Sequence, residues 1–205
     1  MNHTIVTEGF GVRIRPVKME DASYLVWLRH LEHAKGKVGD SAMDVRGQEE
    51  WLREYFKREG DYYFMIETPC GIPMGSFGIY DMVGKSAEFG RWIIAPESPA
   101  AIPGAILGID IGFETLGLQQ LRTKVVLTNR RVIQLERRVG FKETNHEPSI
   151  QIIGGKPAPL VHMALNAEDW FRNRPKLKAA AVIMSVHVAE WEQASKTLFS
   201  EVSKA

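Results

Sequence analysis

Residues 12–17 alternate between apolar and basic or proline positions, the period-two signature of a strand with one buried face. Glu20 and Asp21 then open a helix that gathers Ala22, Leu25, Val26 and Leu28 on one side, with Trp27 off its centre and Arg29 near its end. Residues 32–45 are polar and interrupted by Gly36 and Gly39, a loop long enough to suggest contact with a substrate. Residues 46–58 predict a second helix carrying Trp51, Leu52, Tyr55 and Phe56. Strands over residues 62–67 and 74–81 are joined by a Pro/Gly turn. Residues 87–95 are apolar through their second half, as in a strand buried on both faces. Strict alternation there puts Glu88, Gly90 and Trp92 on one face, and Phe89, Arg91 and Ile93 on the other.

Past the turn at residues 96–103, residues 104–116 form a helix that is apolar almost all round and is stopped by Gly117. A strand at 121–127 leads through Asn129, suited to cap the next helix at 130–138. Val139, Gly140 and Phe141 return to strand. The segment from residue 87 to 141 thus predicts a parallel crossover with an anion-binding turn at its first helix. Residues 149–153 and 160–165 read as a final hairpin around Gly154 and Gly155. Residues 169–172 read as a short turn before Pro175. Beyond Leu177, the residues Met184, Val188, Trp191, Ser195, Leu198 and Val202 recur at spacings of four and three. This is one stripe of a helix that buries either on the body or against a second copy. The expected organisation is a domain over residues 1–174 and a helical extension over 175–205.

Composition narrows the function classes. A net charge of +1 lacks the basic excess of a general nucleic-acid binder, so no nucleic-acid partner is expected. Cys70 is the only cysteine, which excludes an internal disulfide and a cysteine-rich zinc site and suits a reducing, cytoplasmic setting. His146 and His162 could meet across the last hairpin, but two histidines do not make a metal site, and no metal is expected. No apolar run reaches the roughly 20 residues of a membrane span, and the first residues do not read as a secretory signal.

The run from Asn129 through Arg130, Arg131, Val132 and Glu136 to Gly140 and Phe141 resembles the Asn-started helix ending in Gly-Phe of the GNAT acetyltransferase family. The strand containing Glu88, Phe89, Gly90, Arg91 and Trp92 is similar to that family's fourth strand. The resemblance extends over about residues 11–166. It implies an α/β (α+β) fold, a mixed central sheet of about seven strands flanked by helices, with a C-terminal helical extension. It also implies an N-acetyltransferase using acetyl-CoA, with Ile93, Ile94, Ala95, Ile102, Pro103, Gly104, Ala105 and Asn129 as coenzyme-binding positions. Only Gly104 matches the family's glycine-rich phosphate turn, and Pro103 removes a donor there. Glu136 stands where the family often has a tyrosine acid, so Glu136, Tyr80 or water would protonate the departing thiolate, unless Glu136 is a surface charge beside Arg137. Glu88 is the candidate base, or else an edge charge, and the backbone N–H near Ile94 would polarise the thioester carbonyl.

The first helix and the acidic, aromatic start of the second resemble amino-sugar acetyltransferases that act on nucleotide-linked precursors. On that reading Trp27, Arg29, His30 and His33 contact the acceptor; alternatively Arg29 complements the end of the helix and His30 and His33 are surface residues. The alternative acceptor is a protein N-terminus, as in RimJ/RimL-like relatives, so the partner is a small-molecule or peptide amine. Alternatives of another class are a non-catalytic acyl-CoA-binding module or a structural homodimer paired through the C-terminal helix.

Overall fold

The computed structural model describes residues 2–39, 42–144 and 149–202, with side chains described as far as residue 196. Two short strands, β1 (Thr7–Gly9) and β2 (Val12–Pro16), are joined at Phe10 and Gly11, both at positive φ, as a two-residue hairpin requires. A 3₁₀ turn, Met19–Asp21, leads into α1 (Ala22–His30), and α2 (Val45–Tyr55) follows. The Asp44 side chain caps α2 by accepting the Gly47 N–H at 2.8 Å. Strands β3 (Tyr62–Glu67), β4 (Pro73–Val83) and β5 (Ser86–Ile94) form an antiparallel meander. Then come α3 (Ala101–Asp110), a π-helical turn over Ile111–Thr115, β6 (Gln120–Val126), α4 (Arg130–Val139), β7 (Lys142–Glu143), β8 (Ser149–Ile153), β9 (Lys156–Asn166) and α5 (Ala167–Val202).

The described strands make one sheet of nine, in the order β1-β2-β3-β4-β5-β6-β9-β7, with β8 pairing on β9. The short β1 was not expected, and the strand expected over residues 139–141 is displaced: Val139 ends α4, Gly140 is its left-handed C-cap, and β7 begins only at Lys142. Alternate residues of each strand face two layers. Val12, Ile14, Phe64, Ile66, Phe77, Ile79 and Phe89 pack with Ile106, Ile109, Ile133 and Trp170 of α3, α4 and α5. Val17, Tyr63 and Met65 pack on the other side with Leu25, Leu52 and Tyr55 of α1 and α2.

Two further features differ from the sequence expectation. Residues 169–172 are not a turn: α5 starts at Ala167 and runs through Pro175 without a break, so residue 175 falls inside a helix. The ring costs one backbone bond, toward Phe171, on an exposed stretch of the helix. The helix lies on the body. Trp170, Ala181, Val188 and Ser195 are buried, and Asp110 on α3 accepts from Trp170 Nε1 at 2.7 Å and Arg174 Nη1 at 2.8 Å. Its outer side leaves Val182, Ile183 and Val186 exposed. The side chains of Leu198 and Val202 lie outside the described residues. The second difference is in α3, which begins at Ala101, three residues before Gly104. No helix among the described residues is long and apolar enough to cross a membrane.

Candidate active site

Strands β5 and β6 are parallel and pair only at Ser86–Gln120, Ala87–Leu121 and Glu88–Arg122. Beyond Glu88 they part, while β6 stays paired with β9 as far as Val126. The gap opens a cleft of about 720 Å³ lined by β5, β6 and α4, with α1 and α2 side chains at one end. Ala95 donates its N–H to the Met74 carbonyl of β4 at 2.8 Å. Strand alternation therefore turns the backbone groups of Ile94 toward the gap, where its carbonyl accepts from His33 Nε2 at 3.1 Å.

A bulge shapes the β5 wall. Gly78 sits opposite Gly90 and Ser76 opposite Ile93, so Phe77 alone faces both Arg91 and Trp92. Arg91 takes φ +52, and alternation slips by one. The expected faces are thereby corrected. Arg91 joins Glu88 and Gly90 on the α1/α2 side, and Trp92 joins Phe89 in the core against Phe77. The Arg91 guanidinium is held by both oxygens of Asp61, at 2.5 and 2.9 Å. It also lies 4.1 Å from the Tyr80 ring centre, between the Trp51 and Tyr63 rings.

That clamp fixes Tyr80, whose hydroxyl donates to Glu88 Oε1 at 3.0 Å. The hydroxyl crosses directly over Gly90, where a Cβ would collide with it. Burial, with the adjacent Glu88 charge, pushes the Tyr80 phenol up, so it stays a donor to Glu88. The other Glu88 oxygen pairs with Lys124 Nζ of β6 at 2.6 Å. Glu88 is thus a buried residue inside the cleft, not an edge charge.

Glu136 reaches the cleft from α4 on the opposite layer. It accepts from Thr123 Oγ1 at 2.7 Å, and desolvation raises its carboxyl to about 7 despite that bond. It is not a surface partner of Arg137, which bonds Glu143 instead.

Asn129 stands at the start of α4, but its side chain makes no capping bond; it lines the cleft. The turn into α3 is further from the expectation. Gly104 donates its N–H to the Ala100 carbonyl, and a Cβ on it would strike Ile66 and approach Trp92. It is a packing glycine rather than a phosphate-facing one. With α3 starting at Ala101 and no N–H on Pro103, the donors left open by helix geometry are those of Ala101 and Ile102. Pro103 and Ala105 are buried and Ile102 partly so.

Of the expected acceptor residues, Arg29 lines the cleft and holds the Gly39 carbonyl at 2.8 Å. His33 sits on Ile94, as above. Trp27 is 48% exposed and stacks at an angle on Tyr24, and His30 bonds its own helix at the Val26 carbonyl; neither lines the cleft. His162 contacts Ser149 across β8 and β9, and His146 lies outside the described residues. Among the described residues no group of three or more His, Cys, Asp or Glu side chains could hold a metal. The sequence reading missed Asp61, Arg91, Thr123 and Lys124. A second charge, Arg91, in the mostly apolar half of the strand was the one available signal.

Residues 12–142 match the description of the acetyltransferase (GNAT) domain. A comparison with curated proteins gives no match. Among solved structures, the chain is similar to apo FdhC, a nucleotide-linked sugar GNAT, with a TM-score of 0.71 and 23% identity over 85% of this chain and 97% of that one. It is also similar to spermidine N-acetyltransferase from Vibrio cholerae in complex with CoA and spermine, with a TM-score of 0.71 and 18% identity over 80% and 99% of the two chains. A GCN5-related N-acetyltransferase from Brucella melitensis gives 0.71 and 18% over 87% and 84%. The splayed parallel pair, the helix from Asn129 to the Gly-Phe pair and the domain match agree with one another, and the chain belongs to the GNAT acetyltransferase family.

Proposed function

We propose that this N-acetyltransferase acetylates the primary amine of an amino sugar carried on a nucleotide. The observation that carries this reading is the charge of the cleft. Its lining contains Arg29, Lys37 and Lys124 against Glu88 and Glu136, with Arg91 balanced by Asp61. A polyamine would meet an excess of like charge there, whereas a nucleotide diphosphate would be attracted. Trp51, Tyr63 and Tyr80 add aromatic surface on the α2 side, suited to a sugar or base.

Acetyl-CoA, the family's cosubstrate, supplies the activated acetyl thioester. The gap beside Ile94 leaves its backbone groups facing the cleft, and the α3 start offers the N–H groups of Ala101 and Ile102 to an anion. Asn129 would add a side-chain contact. The turn therefore fits a pyrophosphate with fewer donors than a glycine-rich one. Within the cleft Glu88 receives the proton of the acceptor ammonium, with Tyr80 fixing its orientation. Glu136, on the opposite wall, holds a proton near neutral pH for delivery to the leaving sulfur. Holding both reactants in one cleft contributes a further share, worth about 7–11 kcal/mol in well-oriented systems.

The test is CoA release measured with a panel of nucleotide-linked amino sugars, the same sugars without nucleotide, spermidine and peptide N-termini. Turnover favouring the nucleotide-linked amines, and falling with added salt, is the expected result. Preference for spermidine or for peptides would overturn the acceptor assignment. Acetyl-CoA binding with no turnover on any amine would favour a binding module.

A further inference from the structure

Beyond its acceptor, the enzyme presents one of its own amines to its own cleft. Thr123 and Lys124 are neighbours on β6, and alternation sends them to opposite layers, each onto one of the two cleft carboxylates. Lys124 Nζ lies 2.6 Å from Glu88 Oε2, where the proton of an incoming ammonium would be taken up. The Lys124 side chain is 41% exposed and lines the cleft, so its tip can move on a flexible stem while the base stays buried at 10%. Other ion-paired lysines, such as Lys18, Lys57 and Lys142, are paired with carboxylates outside the cleft lining. Lys37 also lines the cleft but has no such carboxylate partner among the described residues.

We propose that Lys124 is a self-acetylation site, modified from acetyl-CoA when no acceptor occupies the cleft. The proposal rests on the acetyl-transfer reading above. In the step, the Lys124 ammonium gives one proton to Glu88, and the freed lone pair attacks the thioester carbonyl carbon of acetyl-CoA. A C–N bond forms, and the C–S bond breaks with its electron pair on sulfur. Nitrogen loses two protons in all: one passes from Glu88 to solvent, and the other is balanced by the single proton that the sulfur takes up. The sum is lysine ammonium plus acetyl-CoA giving acetyl-lysine, CoA thiol and one proton. The product is a neutral amide that no longer neutralises Glu88, which leaves that carboxylate to an external ammonium.

The experiment incubates the full chain with acetyl-CoA and no acceptor, then quantifies acetylation of each lysine by peptide mass spectrometry. Lys124 is expected to be modified about tenfold or more faster than exposed Lys57, with the preference lost in Glu88→Gln and the intact-mass gain lost in Lys124→Arg. A second readout needs no transfer: CoA alone should shield Lys124, but not Lys57, from N-hydroxysuccinimidyl acetate. Calorimetry of CoA binding separates the two failures. If CoA binds while Lys124 is neither shielded nor preferred, self-acetylation is wrong and the enzyme reading stands. If CoA does not bind, both fall together.

Discussion

Glu88 and Glu136 stand on opposite walls of one cleft and carry the same functional group, yet their surroundings differ. Glu88 accepts from a phenol and pairs with an ammonium, with the Asp61–Arg91 clamp behind. Among the described residues Glu136 has only a threonine hydroxyl and is otherwise desolvated, so its carboxyl is raised to about 7. On the proposed mechanism that difference divides the labour, with Glu88 as the base and Glu136 as the acid.

The strongest way to break this division is Glu88→Gln, which keeps shape but removes the base. A loss of about 10²–10⁴ in kcat with coenzyme affinity unchanged is expected from steady-state rates and calorimetry. A loss below threefold would mean that proximity alone suffices. Next, Gly90→Ala places a methyl group where the Tyr80 hydroxyl crosses to Glu88. It should reduce kcat by about tenfold or more and destabilise the fold by about 1–3 kcal/mol, read by denaturant unfolding. Wild-type stability would contradict the packing described.

Glu136→Gln should cost about tenfold in kcat and, more tellingly, change the pH profile. Glu136 must be protonated to act, so wild-type kcat falls as pH rises through about 7, and the variant lacks that limb. Stability follows the same sign. The folded carboxyl is raised above its unfolded value of 4.5, so its contribution is fully present below 4.5 and is lost as pH rises through about 7. The wild type should lose about 3 kcal/mol relative to the variant across that window. Parallel pH curves for the two proteins would remove the acid assignment. The smallest effect is expected at Asn129, at the start of α4. Asn129→Ala should weaken CoA binding by about 1 kcal/mol in calorimetry, with helix α4 intact by circular dichroism. Unchanged affinity would detach Asn129 from the coenzyme.

Much of the frame was legible because periodicity and turn chemistry are local. The alternation in β2, the all-round apolar α3, the Gly154–Gly155 hairpin and the helix ending in Gly140-Phe141 all report on neighbours a few residues away. Arg91 broke the alternation because a bulge depends on the register with β4, where Phe77 faces two residues. Lys124 was not singled out in the sequence, because only the parting of β5 from β6 makes its face of β6 a cleft wall. Gly104 was read as a phosphate glycine, yet what it avoids is Ile66 and Trp92, residues far from it in the chain.

The sequence by itself determined the order of elements, the two-layer burial of the sheet and the presence of Glu88, Glu136 and Asn129 at positions matching the GNAT frame. Tertiary structure decided which residues share the cleft, which carboxylate is partnered and which is desolvated, and that α5 lies on the body through Pro175. The physical reason is range. Local propensity acts over a helical turn or a strand pair, whereas desolvation and charge pairing depend on groups brought together from β4, β5, β6 and α4.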